Sequence, residues 1–371
     1  MWQLPTSMAA ATSVWIVVVT VVAAGIGGIG FFAGYEYRGS PAASATTAEN
    51  STLSLEAAGT LSIAFPQLAS ALANETSGIS APSAAQKYTG SLGVAASITS
   101  LGARIDVAAF ADFRTAPTLL EPTFASYEVV FAGTSEALVY NASLPAFHGI
   151  NSSNWGTTLI NAVAAPGVPK FGVWNASTDP NGYNEIFSMM LQGLLYDGGN
   201  ASAVYAHFYL GAPGQYATPD PATTVIELEA QAAALVRSGV VSAVITYQSY
   251  AIANHLTYVP LDPIVGLSAN SSAALHDYAA LSTKILSSTG ALTTVVPAPI
   301  LFAATVPLNA PNPALGAAFL ELLVSYQGER ILTQDGWVPI APAWTDHPGA
   351  VPPVLAPEVT GLPSWAGGFL P

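Results

Sequence analysis

The sequence predicts an α/β chain built on largely parallel sheets. Three observations carry that expectation. Short apolar runs bounded by turn formers alternate with longer stretches whose apolar residues recur at helical spacing. A polar loop and then a helix follow several of those runs, the order that parallel strands require. And 371 residues are enough for two domains with a substantial core.

The elements follow in order. Residues 14–34, VWIVVVTVVAAGIGGIGFFAG, form an uncharged apolar run long enough to span a bilayer. No Lys or Arg precedes it, so an uncleaved anchor is expected rather than a cleaved signal peptide. Residues 1–39 are read as the anchor or signal segment and 40–52 as a linker by composition. Residues 53–58 read as a strand, 59–62 as a loop carrying Thr60 and Ser62, and 63–73 as a helix with Phe65, Leu68 and Leu72 on one face. Gly90-Ser91-Leu92-Gly93 opens another helix. Residues 104–113 are a buried strand ending in a polar turn at Asp112, read as a helix cap. Residues 127–131 and 137–140 are strand candidates, and 151–164 look helical.

Residues 171–195, FGVWNASTDPNGYNEIFSMMLQGLL, are the centre of the pattern. A short strand ends, turn formers follow, and Ile186, Met189, Met190, Gly193 and Leu194 recur at helical spacing. Asp179 suits the cap and Pro180 the first helical position. Such a helix start also offers free N–H groups and a positive dipole end to an anion. Further on, 201–208 are expected to be helical, 210–222 a loop, and 224–238 an amphipathic helix with Ile226, Ala230, Ala233 and Val236. A strand over 240–247 leads to a helix at Tyr250, then a strand at 258–261 and a surface insertion at 270–279. A β-prone run, 293–305, is broken by Pro297 and Pro299. Residues 310–336 form a helix interrupted at Gly328, and the tail from Pro342 is read as irregular. No internal repeat is found.

Composition narrows the function. The chain is 51% hydrophobic and only 8% charged, against about 25% charged for an average domain. Its net charge is −14 with eight Lys and Arg, so nucleic acid is excluded as a partner. Cys is absent, which excludes disulfides, thiolate metal sites and a thiol nucleophile. So few charges fit an acidic exterior. Seven N-x-S/T sequons, at Asn50, Asn74, Asn141, Asn151, Asn175, Asn200 and Asn270, place the bulk of the chain outside the cell. The five His are scattered, and no H-E-x-x-H or G-x-S-x-G motif occurs. No enzyme, cofactor or protein-held metal is expected. Tyr247 and Tyr250 are poorly placed as a paired ferric-ion site, and Trp155, Trp174 and Trp337 read as core or cleft wall.

Several stretches together resemble the solute-binding proteins of ABC importers, within them the archaeal molybdate/tungstate-binding branch. They are AGTLSIAF at 58–65, IDVAAFADF at 105–113, STDPNGY at 177–183, ITYQSYA at 245–251 and APNPALGAAFLELLVSYQGERILTQDGWVPI at 310–340. The resemblance spans roughly 53–342. It implies a two-lobed periplasmic-binding-protein-like fold (type II) with the ligand cleft between the lobes. Lobe one would be 53–134 plus 301–345, lobe two 135–300, and 346–371 a Pro/Gly-rich tail. The chain would cross near 133–140 and again near 296–303.

By the same resemblance, Thr60 and Ser91 are hydroxyl donors from lobe one, and the 178–183 loop with Asp179 and Tyr183, together with Tyr247, contributes from lobe two. In that branch two carboxylates approach the metal and raise its coordination to six. Asp179 stands at one such position. The second is expected just before Tyr247, where this chain has Thr246, so tetrahedral binding through hydrogen bonds is the expectation. Phe110 replaces a small hydroxyl residue, and Glu229 sits near a polar pocket position. The implied function is extracellular capture of molybdate or tungstate for an ABC permease, by a monomer, with hinge closure and neutral donors. Sulfate or phosphate binding on the same fold is one alternative. A surface glycoprotein or sensor without transport is the other.

Overall fold

The computed structural model describes residues 51–81, 83–286 and 290–371, all within one unit, 45–371. The apolar run 14–34 and Asn50 lie outside the described residues. Among the described residues no helix is long and apolar enough to cross a membrane.

Two mixed sheets organise the chain. The larger has seven strands, in the order Val359–Gly361, Val338–Thr345, Val129–Gly133, Leu301–Thr305, Val107–Phe110, Leu55–Ala58 and Gln86–Thr89. The smaller has five, in the order Thr224–Ile226, Gly172–Trp174, Ala243–Tyr247, Glu136–Tyr140 and Tyr258–Pro260. The chain passes from the first to the second at 134–135 and is back in the first at Leu301. The crossings are tied together, since Thr134 N donates to Ile300 O at 3.2 Å and Ile300 N to Leu267 O at 2.8 Å.

The parallel strands position the site. Leu55–Ala58 pairs parallel with both Gln86–Thr89 and Val107–Phe110. In the smaller sheet, Gly172–Trp174 pairs parallel with Thr224–Ile226 and with Ala243–Tyr247. Leu55–Ala58, Val107–Phe110, Gly172–Trp174 and Ala243–Tyr247 are buried along their length, as strands covered by helices require, whereas Gln86–Thr89 and Thr224–Ile226 are partly exposed. Phe65 packs edge-on to Phe319, at 5.2 Å, and Phe302 edge-on to Trp337, at 5.8 Å.

Several expectations are corrected. Residues 224–226 are a strand, and the helix starts only at Glu229 and ends at Arg237. The run Thr-Val-Ile is β-branched and fills an edge position beside Gly172–Trp174. Ser51–Thr52, assigned to the linker, pairs with Ile79–Ser80. The expected 201–208 helix is confined to Ser202–Tyr205, and the 270–279 insertion contains the helix Ser272–Ala279. The 310–336 segment breaks at Ser325, whose side chain caps the second helix by accepting from Gly328 N. The tail is not irregular throughout. Val338–Thr345 and Val359–Gly361 pair as parallel strands of the larger sheet, and Trp365 packs edge-on to Trp344 at 5.8 Å.

Candidate functional site

Six strand ends converge. In the larger sheet the carboxyl ends of Leu55–Ala58, Gln86–Thr89 and Val107–Phe110 lead into Thr60, Ser91 and Asp112. In the smaller sheet Gly172–Trp174, Thr224–Ile226 and Ala243–Tyr247 lead to Asp179, Glu229 and Tyr247. Ligands in open α/β sheets bind outside such ends. Helices start there too. Those beginning at Ser91 and Glu229 have no side-chain cap, which leaves their first N–H groups for other partners.

The two sets touch at three points. Thr60 Oγ1 donates to Glu229 Oε2 at 2.6 Å, and Tyr183 OH donates to Asp112 Oδ2 at 2.6 Å. The third is a backbone approach. A Cβ on Gly90 would lie 2.1 Å from Thr178 O and 3.1 Å from Asp179 Cα, so only glycine fits. Two cavities are lined by other residues. One of about 200 Å³ is bounded by Trp174, Tyr209, Tyr216 and Lys284, and one of about 350 Å³ lies behind the crossings, against Thr134, Gln248, Pro299 and Trp365.

The donors of the larger sheet are neutral. Thr60 is 1% exposed and Ser91 fully buried. Ser91 Oγ accepts Ala111 N at 2.8 Å, which leaves its own hydrogen to donate. Asp112 is acidic but paired: Arg114 Nη2 lies 2.6 Å from Oδ2. Burial pushes the Asp112 carboxyl up, yet Arg114 and the Tyr183 hydroxyl outweigh it and hold it below its usual range. The Arg114 guanidinium also sits 6.0 Å from the centre of the Tyr183 ring.

The smaller sheet brings acids. Asp179 caps the Pro180–Tyr196 helix, with Oδ1 accepting Asn181 N at 3.0 Å. Burial raises its carboxyl to about 6 against that amide. Burial and then the Asp179 charge push Glu229 well above the carboxylate range, and Thr60 opposes them. Glu229 Oε1 is buried without a hydrogen-bond partner. Behind them Glu136 and Glu185 are fully buried, and both are pushed well up by burial first. The hydrogen-bond network sets the Asn181 amide with Nδ2 on Glu136, at 2.9 and 3.2 Å, and its oxygen on Trp174 Nε1 at 2.7 Å.

The sequence-derived residues fare differently. Thr60 meets Glu229, Ser91 opens the helix that follows the strand Gln86–Thr89, and Asp179 and Tyr183 face the larger sheet. Tyr247 is buried edge-on to Phe302 at 5.5 Å, and Asn184 Nδ2 donates to its hydroxyl at 3.4 Å. Thr246 is fully buried within the smaller sheet, 3.4 Å from the Asn181 amide. Phe110 joins a core cluster with Val94, Ala95 and Ile98 under the Ser91 helix. Asp112 is more than a turn cap, because it also ties Arg114 to Tyr183. Sequence reasoning passed over Arg114 and left Glu229 without a register. The signal for Glu229 was the β-branched Thr224-Val225-Ile226, which ends a strand just before it.

Comparison with known proteins gives the family and the fold. The sequence profile of bacterial extracellular solute-binding proteins matches residues 53–338. A solute-binding protein of Methanoculleus marisnigri is 29% identical over 80% of this chain and 84% of its own length. The molybdate/tungstate-binding protein WtpA of Pyrococcus abyssi is 27% identical over 75% of this chain and 81% of its own. Among solved structures, the periplasmic molybdate-binding protein of Azotobacter vinelandii shares the fold, with TM-score 0.53 and 16% identity over 77% of this chain and 98% of its own. The sulfate-binding protein SubI of Mycobacterium tuberculosis shares it at TM-score 0.51 and 14% identity, over 86% and 91%.

Proposed function

The chain belongs to the bacterial extracellular solute-binding proteins, and from that premise we propose that it captures molybdate or tungstate outside the cell for an ABC permease. One observation carries the reading. Two buried hydroxyls, Thr60 and Ser91, and two buried carboxyls, Asp179 and Glu229, stand at strand ends that face each other, with Thr60 on Glu229 and Asp179 against Gly90, beside the uncapped helix starts at Ser91 and Glu229.

The Ser91 hydroxyl and helix N–H groups suit the oxygens of a dianion, while Thr60 gives its hydrogen to Glu229. The carboxyls require more. Beside sulfate or phosphate a carboxylate is repulsive unless it holds a proton. Molybdenum and tungsten centres accept further oxygen ligands, and sulfur and phosphorus in these anions do not. Glu229, rather than residue 246, is the natural second carboxyl beside Asp179. With both present, six oxygens around the metal is the better reading than the tetrahedral one. Ligation needs ionised carboxyls, so binding releases protons and weakens as pH falls below about 6, where Asp179 takes up a proton.

In this reading the sheets are the cores of two lobes, 53–134 with 301–345 and 135–300, which close about the crossings at 134–135 and 299–301. Thr60–Glu229 and Asp112–Tyr183 hold the closed form. Tyr247 backs the site, and Thr246 supports Asn181 without meeting the anion. The 14–34 run anchors a monomer at the cell surface. Glycans fit Asn74, Asn151, Asn200 and Asn270, all exposed. Asn175 suits one poorly, because its Nδ2 donates to Glu227 at 2.7 Å.

Crystals soaked in tungstate test the site. An anomalous peak ringed by Thr60, Ser91, Asp179 and Glu229, with both carboxyls in the metal's oxygen shell, is expected. A peak elsewhere, or four oxygens with both carboxyls turned away, overturns the coordination.

A further inference from the structure

Far along the larger sheet, outside the anion site, lies a second cluster of ligating side chains. Asp346 follows the strand Val338–Thr345, and Glu128 precedes its antiparallel neighbour Val129–Gly133. That register brings Glu128 N onto Asp346 Oδ1 at 2.8 Å, and His347 N donates to the same oxygen at 2.8 Å. Two backbone amides thus fix the carboxylate and leave its buried Oδ2 towards His347. His347 Nδ1 lies 3.0 Å from that Oδ2 and 3.2 Å from Glu121 Oε2.

We propose that Glu121, Asp346 and His347 form a divalent-cation site of the zinc type, which ties the C-terminal segment to the 115–128 region. The three ligating atoms all lie within 4.8 Å of one another. Ligands of a tetrahedral zinc ion with bonds of about 2.0 Å stand about 3.3 Å apart, close to the separations found here. One imidazole with two carboxylates suits zinc or manganese better than calcium, which prefers oxygen alone. The Asp346 carboxylate is oriented from behind, as metal-ligating carboxylates are.

A second observation points to a ligand. The Glu121 side chain is 8% exposed, and its Oε1 is buried without a hydrogen-bond partner. Glu128, fully buried next to Asp346, has neither carboxyl oxygen partnered. Buried polar atoms are ordinarily satisfied, and these carboxyl oxygens are not. The His347 side chain is 60% exposed, which gives an ion and a completing water a way in. The site would fasten the tail that carries Val359–Gly361 and Trp365 across the larger sheet.

The test is equilibrium dialysis of the full chain against Zn²⁺ at pH 7, with bound metal counted by mass spectrometry. One equivalent is expected, with affinity reduced at least tenfold in both His347→Ala and Glu121→Gln and tungstate binding unchanged in both. His347 is exposed, so its variant is expected to fold, which its melting temperature without metal verifies. Less than a fifth of an equivalent in the native chain overturns the proposal. So does full binding by His347→Ala, or Ca²⁺ competing equally with Zn²⁺. Tungstate titration reports separately on the anion site, so failure of one reading leaves the other standing.

Discussion

The seven-stranded sheet brings hydroxyls and backbone amides to the candidate site, whereas the five-stranded sheet brings carboxyls. Thr60 and Ser91 have no charge to titrate, and the one acid beside them, Asp112, is held ionised by Arg114. Across the gap Asp179 and Glu229 are buried, and burial raises both. Under the proposed function the two sides would have separate tasks: the neutral side would recognise the shape and charge of a tetrahedral anion, and the acidic side would distinguish a metal centre from sulfur or phosphorus and make binding depend on pH.

The largest expected effect breaks the contact between the sides. Gly90 has an ordinary backbone, φ −63° and ψ 148°, so an alanine there is unstrained until its Cβ meets Thr178 O. Gly90→Ala should cut tungstate affinity at least 100-fold in calorimetry while the fold melts normally. X-ray scattering should report a more open envelope with tungstate present. Removing one carboxylate comes next. Glu229→Gln keeps the shape and an acceptor for Thr60 but cannot ligate as a carboxylate. A 100-fold loss for tungstate, about 2.7 kcal/mol, is expected, with sulfate affinity unchanged or improved. Equal loss for both anions would assign Glu229 to closure alone.

Tyr183→Phe removes the hydrogen bond to an ionised Asp112. Such bonds contribute roughly 1.5–3 kcal/mol, so anion dissociation in stopped flow should quicken about tenfold or more. The association rate should change little. Thr246→Val, buried behind the site, should leave affinity within about twofold.

Stability should separate the two sides as well. A carboxyl whose pKa folding raises stabilises the fold fully below its unfolded value and loses that contribution as pH rises through the folded one. Asp179, raised from 3.8 to about 6, would by itself make the fold about 3 kcal/mol less stable at pH 8 than below pH 4. Asp112 runs the other way: its contribution is present above 3.8 and lost as pH falls further through its depressed value. Thermal melts should therefore peak at about pH 4. Asp179→Asn should flatten the alkaline limb, and Arg114→Ala should weaken the acid limb's dependence on Asp112.

Both sides were legible wherever local turn chemistry and apolar periodicity suffice: AGTLSIAF and Gly90-Ser91 read directly as strand end, turn and helix in the larger sheet, and so did the strand before Asp179 and the helix from Pro180 in the smaller. Thr224 to Ser238 misled because Ile226, Ala233 and Val236 satisfy helical spacing even though the first three residues pair as a strand. That shift hid where Glu229 lies. Contacts such as Thr60–Glu229, separated by 169 residues, and Tyr183–Asp112, separated by 71, depend on how the sheets face each other. No local propensity in one sequence encodes them.

The measurement that tests the account most directly is a pair of calorimetric titrations of the full chain at pH 7, one with tungstate and one with sulfate. The account predicts submicromolar tungstate binding and sulfate at least 100-fold weaker. Equal affinities, or tighter sulfate, would contradict the role given to Asp179 and Glu229. No heat with either anion would contradict oxyanion capture itself.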